Sequence, residues 1–138
     1  MQEPLTSPVT MLLVEDDAVL QELYSESFRD AGFIVLQATD GEMAIEMVDA
    51  QPEISVVLLD LMLPKISGYD VLTHIRQARG HKFPVLIVSA LADISDQARA
   101  LQLGATEYIT KGDMPPSHVI DLLKKYAALA SKSSALVD

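Results

Sequence analysis

Apolar residues along this chain fall into five short runs, and each run is followed by a longer segment in which apolar residues recur at every third or fourth position. The runs are rich in valine, isoleucine and leucine, which is typical of strands buried on both faces of a sheet. They span residues 9–14, 33–38, 54–60, 83–90 and 107–110. The longer segments have the spacing of amphipathic helices, so the pattern predicts strands and helices in alternation.

Residues that commonly flank helices bound the longer segments. Gly32, Gly80 and Gly104 each stand where a helix would end, and Ser67 lies at capping-box spacing before Asp70. We therefore predict helices over residues 17–31, from a capping box at 39–42 to Pro52, over 67–79, over 94–103, and from Pro115 or Pro116 onward.

Two of the predicted helices have a clear apolar face. The face of the first consists of Leu20, Leu23, Tyr24, Phe28 and Ala31. The face of the second consists of Met43, Ala44, Met47 and Val48. We expect these side chains to contact the core, with Met43 and Met47 filling space inside it.

Strand and helix units in alternation indicate an α/β domain with a mostly parallel sheet and helices on both faces. A length of 138 residues suits one such domain with one core. We predict a flavodoxin-like, doubly wound sheet of five parallel strands in the order 2-1-3-4-5, together with five helices. The domain would cover residues 9–126, between a leader at 1–8 and a tail or linker start at 127–138, where the amphipathic spacing is lost.

The composition narrows the functional classes. Ten lysines and arginines stand against 20 acidic residues, for a formal net charge of −10. Phosphate backbones and anionic membranes are bound by clustered cations, so we expect no direct contact with nucleic acid or membrane. The chain has no cysteine, and therefore no disulfide or thiolate metal site. It also shows no signal peptide and no apolar run long enough to cross a bilayer, so we expect a cytoplasmic protein.

Polar residues follow the predicted strands at the edge of the sheet where ligands bind in this architecture. They are Glu15, Asp16 and Asp17 after the first strand, Asp60 at the end of the third, Ser89 at the end of the fourth and Lys111 after the fifth. Carboxylates that meet there repel one another and need positive charge nearby. A lysine supplies part of it, and Mg²⁺ suits the rest because it prefers oxygen ligands and favours phosphate in its open positions. The edge therefore predicts a site for Mg²⁺ and a phosphoryl group, with one carboxylate as nucleophile.

Four stretches in order resemble the receiver domains of two-component response regulators, of which the single-domain chemotaxis regulators are the simplest kind. They are LLVEDD (12–17), LLDLMLP (58–64) followed by Gly68, LIVSA (86–90) and LGATEYITK (103–111). Each stretch alone is common, but all of them in register with the strand and helix alternation are specific. The resemblance covers about residues 9–126.

The resemblance implies that Asp60 is the phosphoacceptor, which takes a phosphoryl group from a phosphohistidine of a partner protein to form an acyl phosphate. It also implies a Mg²⁺ site. Glu15 and Asp16 would hold the ion together with Asp60 and the backbone carbonyl of Met62.

Three further roles follow from the same resemblance. Ser89 would bind a phosphoryl oxygen and shift toward it on activation. Lys111 would pair with Asp60 before the reaction and with the phosphoryl group after it. Tyr108 matches the aromatic switch residue that turns inward when Ser89 moves. One position departs from the family, because members usually have a proline after the lysine, often with a cis bond, where this chain has Gly112; we expect a trans peptide or a more mobile loop there.

We predict a signalling module rather than an enzyme, with only self-phosphorylation and slow autodephosphorylation as chemistry. Its partners would be a histidine kinase or histidine phosphotransfer protein and a downstream protein effector. An alternative is a Mg²⁺-dependent phosphatase of the haloacid dehalogenase type, but those enzymes carry a second aspartate where this chain has Met62. A flavin or nucleotide binder is a third reading, although no glycine-rich loop follows the first strand. The cognate kinase, the output, the oligomeric state and any further domain stay open.

Overall fold

The structure, a computed structural model, describes residues 8–137 of the chain and the side chains of residues 8–130. The strands are β1 (Thr10–Val14), β2 (Ile34–Ala38), β3 (Ile54–Leu59), β4 (Val85–Ser89) and β5 (Glu107–Thr110). They form one parallel sheet in the order β2-β1-β3-β4-β5, which confirms the predicted fold class and strand order.

A helix follows each strand. The helices are α1 (Ala18–Asp30), α2 (Gly41–Ala50), α3 (Gly68–Arg79), α4 (Ile94–Gln102) and α5 (Pro116–Val137). Side chains cap several of them: Asp17 accepts hydrogen bonds from the backbone N–H groups of Val19 and Leu20, and Ser67 accepts one from Asp70, as its capping-box spacing predicts. None of the helices in residues 8–137 combines the length and the apolar character that crossing a membrane requires.

The strands separate two hydrophobic clusters because their side chains alternate between the faces of the sheet. Leu12 and Val14 of β1 face one cluster, which α2, α3 and α4 cover. Met11 and Leu13 face the other, which α1 and α5 cover. With helices on both faces, a ligand can approach the ends of the strands, and the carboxyl ends carry the acidic residues.

Two side chains that the sequence places in the core are exposed instead. Leu23 of α1 is 57% exposed, because the inner face of the helix is formed by Gln21, Ser25 and Phe28. Met43 of α2 is 41% exposed. The prediction was wrong in both cases because the helix period defines a stripe but not its centre, and in α1 polar residues occupy part of that stripe.

The start of α2 also differs from the prediction. The N-cap residue is Asp40, whose Oδ1 accepts a hydrogen bond from the backbone N–H of Met43 at 2.8 Å. The capping box that the sequence suggests would instead begin at Thr39. Asp40 also lies 3.5 Å from Lys65 Nζ, which links α2 to the loop between β3 and α3.

The predicted division of the chain at residue 126 stays a prediction. The α5 helix continues to Val137, and Ala127 is buried in the cluster beneath α1 and α5. The predicted leader at 1–8 lies outside the described residues except for its last position. Of the predicted tail at 127–138, the final residue and the side chains from 131 onward also lie outside them.

A buried arginine holds the amino ends of two strands, at the edge of the sheet opposite the acidic residues. Arg76 of α3 is 7% exposed and donates hydrogen bonds to the carbonyl oxygens of Gly80, Phe83 and Gly104. Burial lowers the pKa of its guanidinium. These carbonyls belong to the loops that lead into β4 and β5, so the amino ends of both strands are tied to α3.

A close backbone approach requires a glycine at the start of α3. A Cβ atom at Gly68 would lie 2.5 Å from the carbonyl oxygen of Asp60 and closer still to Leu61 Cα. The amide of Gly68 donates to the carbonyl of Leu61 at 2.9 Å. The loop between β3 and α3 therefore folds tightly back on the residue that follows β3.

Gly68→Ala should lower the free energy of unfolding by about 3 kcal/mol, because backbone atoms on both sides of the new methyl group must move. Ser67→Ala is the matched control: it removes the cap at the same helix start without a clash and should cost about 1 kcal/mol. Urea unfolding of both variants measures the difference. A smaller cost at Gly68 than at Ser67 would show that the loop tolerates the extra atom.

Candidate functional site

The register of the sheet brings the first and third strand ends together. Val14 pairs with Leu59 in the last step of the β1 and β3 ladder, so Glu15 and Asp60 leave the sheet side by side. The backbone N–H of Asp60 donates to the carbonyl of Val14 at 3.1 Å, and that of Glu15 donates to the carbonyl of Ala38 at 3.1 Å. Both acids are therefore held by strand-like hydrogen bonds just past the ends of their strands.

Three carboxylates converge at this point. Glu15, Asp16 and Asp60 each offer an oxygen atom, and these oxygens lie within 4.8 Å of one another. Glu15 and Asp60 are almost fully buried, at 1% and 2% exposure, whereas Asp16 is exposed. Asp17 does not belong to this cluster, and its side chain caps α1 instead.

Lys111 compensates the two buried acids. Its Nζ lies 2.8 Å from Glu15 Oε1 and 3.0 Å from Asp60 Oδ2, as the sequence suggested for a lysine after β5. The contact with Glu15 has the distance of an ion pair but not the direction of a hydrogen bond, so Oε1 is buried without a directed donor. The other oxygen of Glu15 accepts a hydrogen bond from the backbone N–H of Asp17 at 3.1 Å.

Burial and charge shift the pKa values of this group. Burial raises the pKa of the Glu15 carboxyl above its usual 4.5, and the attraction of Lys111 only partly opposes this shift. Burial alone would lower the pKa of Lys111, but its contacts with Glu15 and Asp60 outweigh burial and raise that pKa. The cluster therefore retains a strongly held proton on Lys111 and an acid, Glu15, that resists ionisation.

Asp60 is also bound through its other oxygen. Its Oδ1 accepts a hydrogen bond from the backbone N–H of Met62 at 3.0 Å, and the Met62 side chain is 54% exposed at the mouth of the site. The predicted role of the Met62 carbonyl as a metal ligand stays a prediction. Beyond Lys111 the chain turns at Gly112, where φ is +88°, and the residues that the structure describes contain no cis peptide bond.

The side chains of Ser89 and Tyr108 both form hydrogen bonds with the backbone of Leu91. Ser89 is fully buried at the end of β4, its Oγ accepts from the backbone N–H of Leu91 at 3.1 Å, and its carbonyl accepts from the N–H of Lys111 at 2.8 Å. The hydroxyl of Tyr108 donates to the carbonyl of Leu91 at 2.6 Å. Burial raises the pKa of that hydroxyl. The residues proposed as a switch thus share the backbone of Leu91 but have no direct contact with the acids among the described hydrogen bonds.

One polar residue that sequence reasoning missed lies directly behind the acids. Gln21 of α1 is 5% exposed, and its side-chain amide donates to the carbonyl of Glu15 at 3.1 Å. The only sequence signal was its spacing: Gln21, Ser25 and Phe28 recur at helical intervals on one face.

The donor set fits a hard divalent cation. Three carboxyl groups with oxygens within 4.8 Å of one another outnumber the ammonium of Lys111, and one buried oxygen, Glu15 Oε1, lacks a directed donor. Oxygen ligands of this kind suit Mg²⁺ or Ca²⁺ rather than a softer metal. The exposure of Asp16 leaves the cluster open to solvent on one side, where a ligand can enter.

The chain matches the family model of the response regulator receiver domain over residues 11–124. It is 36% identical to the transcriptional regulatory protein CpxR of Escherichia coli over 123 residues, which make up 89% of this chain and 50% of that protein. It is 32% identical to the probable transcriptional regulatory protein SilR of Salmonella typhimurium over 127 residues, 92% of this chain and 53% of SilR. The chain thus spans about half the length of these curated relatives.

Solved structures show the same architecture. A CheY-like receiver domain protein from Methanospirillum hungatei superposes with a TM-score of 0.85 at 20% identity, over 92% of this chain and 99% of that one, a likeness that shows the fold alone. The receiver domain of the sensor histidine kinase PA1611 from Pseudomonas aeruginosa, which has a magnesium ion coordinated in its active site cleft, superposes with a TM-score of 0.79 at 27% identity. That match covers 88% of this chain and 99% of the other.

The chain belongs to the response regulator receiver domain family. It is a signalling module of a two-component system and not a classical enzyme, as its sequence predicts. None of these matches supports the haloacid dehalogenase alternative. Receiver domains work with histidine kinases and bind Mg²⁺ at an acidic pocket, and the cluster of Glu15, Asp16 and Asp60 has that composition.

Glu15→Gln should raise the free energy of unfolding of the metal-free protein at neutral pH. The difference from wild type should grow as pH rises. A carboxyl whose pKa is raised by folding contributes stability below its unfolded-state pKa of 4.5 and loses that contribution as pH rises through the folded-state pKa. Glutamine keeps the shape but cannot ionise. Urea unfolding in EDTA at several pH values between about 4 and 8 gives the margin between variant and wild type. A margin that stays constant or narrows would mean that Glu15 ionises without cost in the folded state.

Proposed function

We propose that Asp60 is the residue that accepts the phosphoryl group. The observation that carries the proposal is that Asp60 is a buried carboxylate beside two further acids, with its charge held by Lys111 at 3.0 Å. Such a carboxylate is oriented by fixed partners on both oxygens yet lies beside an exposed acid at a solvent-open edge. It is therefore positioned to react with a donor that docks from outside.

Transfer begins when a carboxylate oxygen of Asp60 attacks the phosphorus of a phosphohistidine on the partner. The new bond joins oxygen to phosphorus, and the bond between phosphorus and the imidazole nitrogen breaks, with its electron pair returning to the ring. Glu15 and Asp16 would hold Mg²⁺ together with Asp60 and the carbonyl of Met62. The ion, when bound, would neutralise charge on the phosphoryl oxygens.

Lys111 changes partners in this scheme. Its ammonium pairs with Asp60 before transfer, and the acyl phosphate that replaces the carboxylate offers it a phosphoryl oxygen instead. Ser89, buried at the end of the neighbouring strand, supplies a hydroxyl to another phosphoryl oxygen. Since Ser89 Oγ and Tyr108 both bind the backbone of Leu91, a shift of Ser89 would alter the loop that Tyr108 holds. This coupling is the support for Ser89 and Tyr108 as the switch.

The output is a change of protein contacts. The phosphoryl donor is a histidine kinase or a histidine phosphotransfer protein, and self-catalysed phosphorylation and slow hydrolysis are the only reactions of the domain itself. Relatives such as CpxR are transcriptional regulators, and the chain spans about half of their length. Regulation of transcription by the whole protein is therefore part of the proposal, whereas absence of nucleic-acid contact by this domain and a cytoplasmic location stay predictions from its sequence.

Incubation with acetyl phosphate and Mg²⁺ should add one phosphoryl group to the protein, because acetyl phosphate supplies the same group without a partner. Asp60→Asn should abolish the gain in mass, since the amide cannot attack phosphorus. Asp17→Asn is the matched control, because Asp17 caps α1 and lies outside the acidic cluster; this variant should be modified to the same extent as wild type. Intact-protein mass spectrometry measures all three.

A phosphoryl group that survives in Asp60→Asn would refute the assignment of the acceptor. Rapid turnover of phosphate monoesters by the wild type, at rates that scale with enzyme concentration, would instead favour a phosphatase.

A further inference from the structure

A chain of polar side chains, of which Gln21 and Ser25 are buried, connects the acidic site to the edge strand β2. The side-chain amide of Gln21 donates to the carbonyls of Glu15 and Ala38 at 3.1 Å each, with a longer contact of 3.5 Å to that of Leu13. The hydroxyl of Ser25 donates to Gln21 Oε1 at 3.3 Å. The amide of Gln37 donates to Ser25 Oγ at 2.6 Å.

These contacts complete the fixation of Glu15. Its N–H binds the carbonyl of Ala38, its carbonyl binds Gln21, one carboxylate oxygen binds the N–H of Asp17, and the other faces Lys111. Of these four partners only Gln21 comes from the interior of a helix. It therefore ties the loop between β1 and α1, which carries two of the three acids, to both α1 and the end of β2.

Apolar residues are the expected occupants of such a position. Gln21 is 5% exposed and Ser25 is fully buried, in a helix whose apolar Leu23 is 57% exposed. Burying an amide and a hydroxyl in place of leucine side chains costs free energy unless every group is satisfied. The network satisfies them, and Gln21 joins it to the site directly at the carbonyl of Glu15.

We propose that Gln21 is a positioning residue for the metal site, which presents the carboxylates of Glu15 and Asp16 toward Asp60. The inference rests on the proposed function, because it concerns binding of Mg²⁺ by those acids. Without the amide, the carbonyl of Glu15 would be buried and unsatisfied, and the loop would shift to expose it to water. Bringing the acids together would then cost free energy when the ion binds, because they would no longer be held in place beforehand.

The test is calorimetric titration of Mg²⁺ into the folded protein and three variants along the network. Gln21→Met keeps the size of the side chain, removes the link to Glu15 and should weaken Mg²⁺ binding about tenfold. Ser25→Ala leaves Gln21 in place without its orienting donor and should weaken binding about threefold. Gln37→Met acts three hydrogen bonds away from Glu15 and should change the dissociation constant by less than about twofold.

Two companion measurements separate positioning from general stability. Urea unfolding in EDTA reports the stability of each variant without metal, and we expect Gln37→Met to lose stability without losing affinity. At saturating Mg²⁺, Gln21→Met should be phosphorylated by acetyl phosphate at a rate within about twofold of wild type, because excess ion compensates for weaker binding.

Gln21→Met with the affinity of wild type, or equal losses in all three variants, would overturn the positioning role while leaving the proposed function intact. If Gln21→Met does not fold, Ser25→Ala decides: weaker binding than in Gln37→Met supports the inference, and equal binding overturns it. Failure of the wild type itself to bind Mg²⁺ would overturn the proposed function, and this inference with it.

Discussion

The ion pair between Lys111 and two buried acids is the interaction on which the site depends. Glu15 and Asp60 are each nearly inaccessible to solvent, and a lone lysine lies within 3.0 Å of both. Buried charges of one sign are tolerated only when a partner compensates them. Here the compensation is incomplete, because three carboxyl groups surround one ammonium group, and burial raises the pKa of Glu15 in spite of its contact with Lys111. A cation would offset this excess of negative charge, in keeping with the Mg²⁺ that receiver domains bind at an acidic pocket.

The register of the parallel sheet brings the two buried acids together. Each acid follows the last residue of a strand, and register brings Val14 and Leu59 into line, so two rigid ladders place Glu15 and Asp60 together. The opposite ends of β4 and β5 are tied down by Arg76. At the carboxyl ends, Ser89 and Tyr108 both bind the backbone of Leu91, and we propose that these residues form the switch. A two-state element at that place can convert a local change of charge into a change of surface.

The sequence predicts the parts of this arrangement that depend on where the strands end. An acid after a buried strand has few places to lie, so the convergence of Glu15, Asp60 and Lys111 was predictable once the alternation was recognised. The inner face of α1 was not predictable, because glutamine and serine are usually found at the surface. The residues that Gln21 and Ser25 contact, Ala38 and Gln37, are also distant in sequence. Helical periodicity identifies a stripe of candidates, but only tertiary contacts decide whether a polar residue within it is buried.

The most direct test of the central claim is a calorimetric titration of Mg²⁺ at pH 8 into the wild type and Lys111→Met. If Lys111 and the cation neutralise the same acids, removing the lysine leaves Glu15 and Asp60 uncompensated, and the variant should bind Mg²⁺ about tenfold more tightly than wild type. Equal or weaker binding by Lys111→Met would contradict the account, because it would mean that the lysine and the metal do not share one cluster of negative charge.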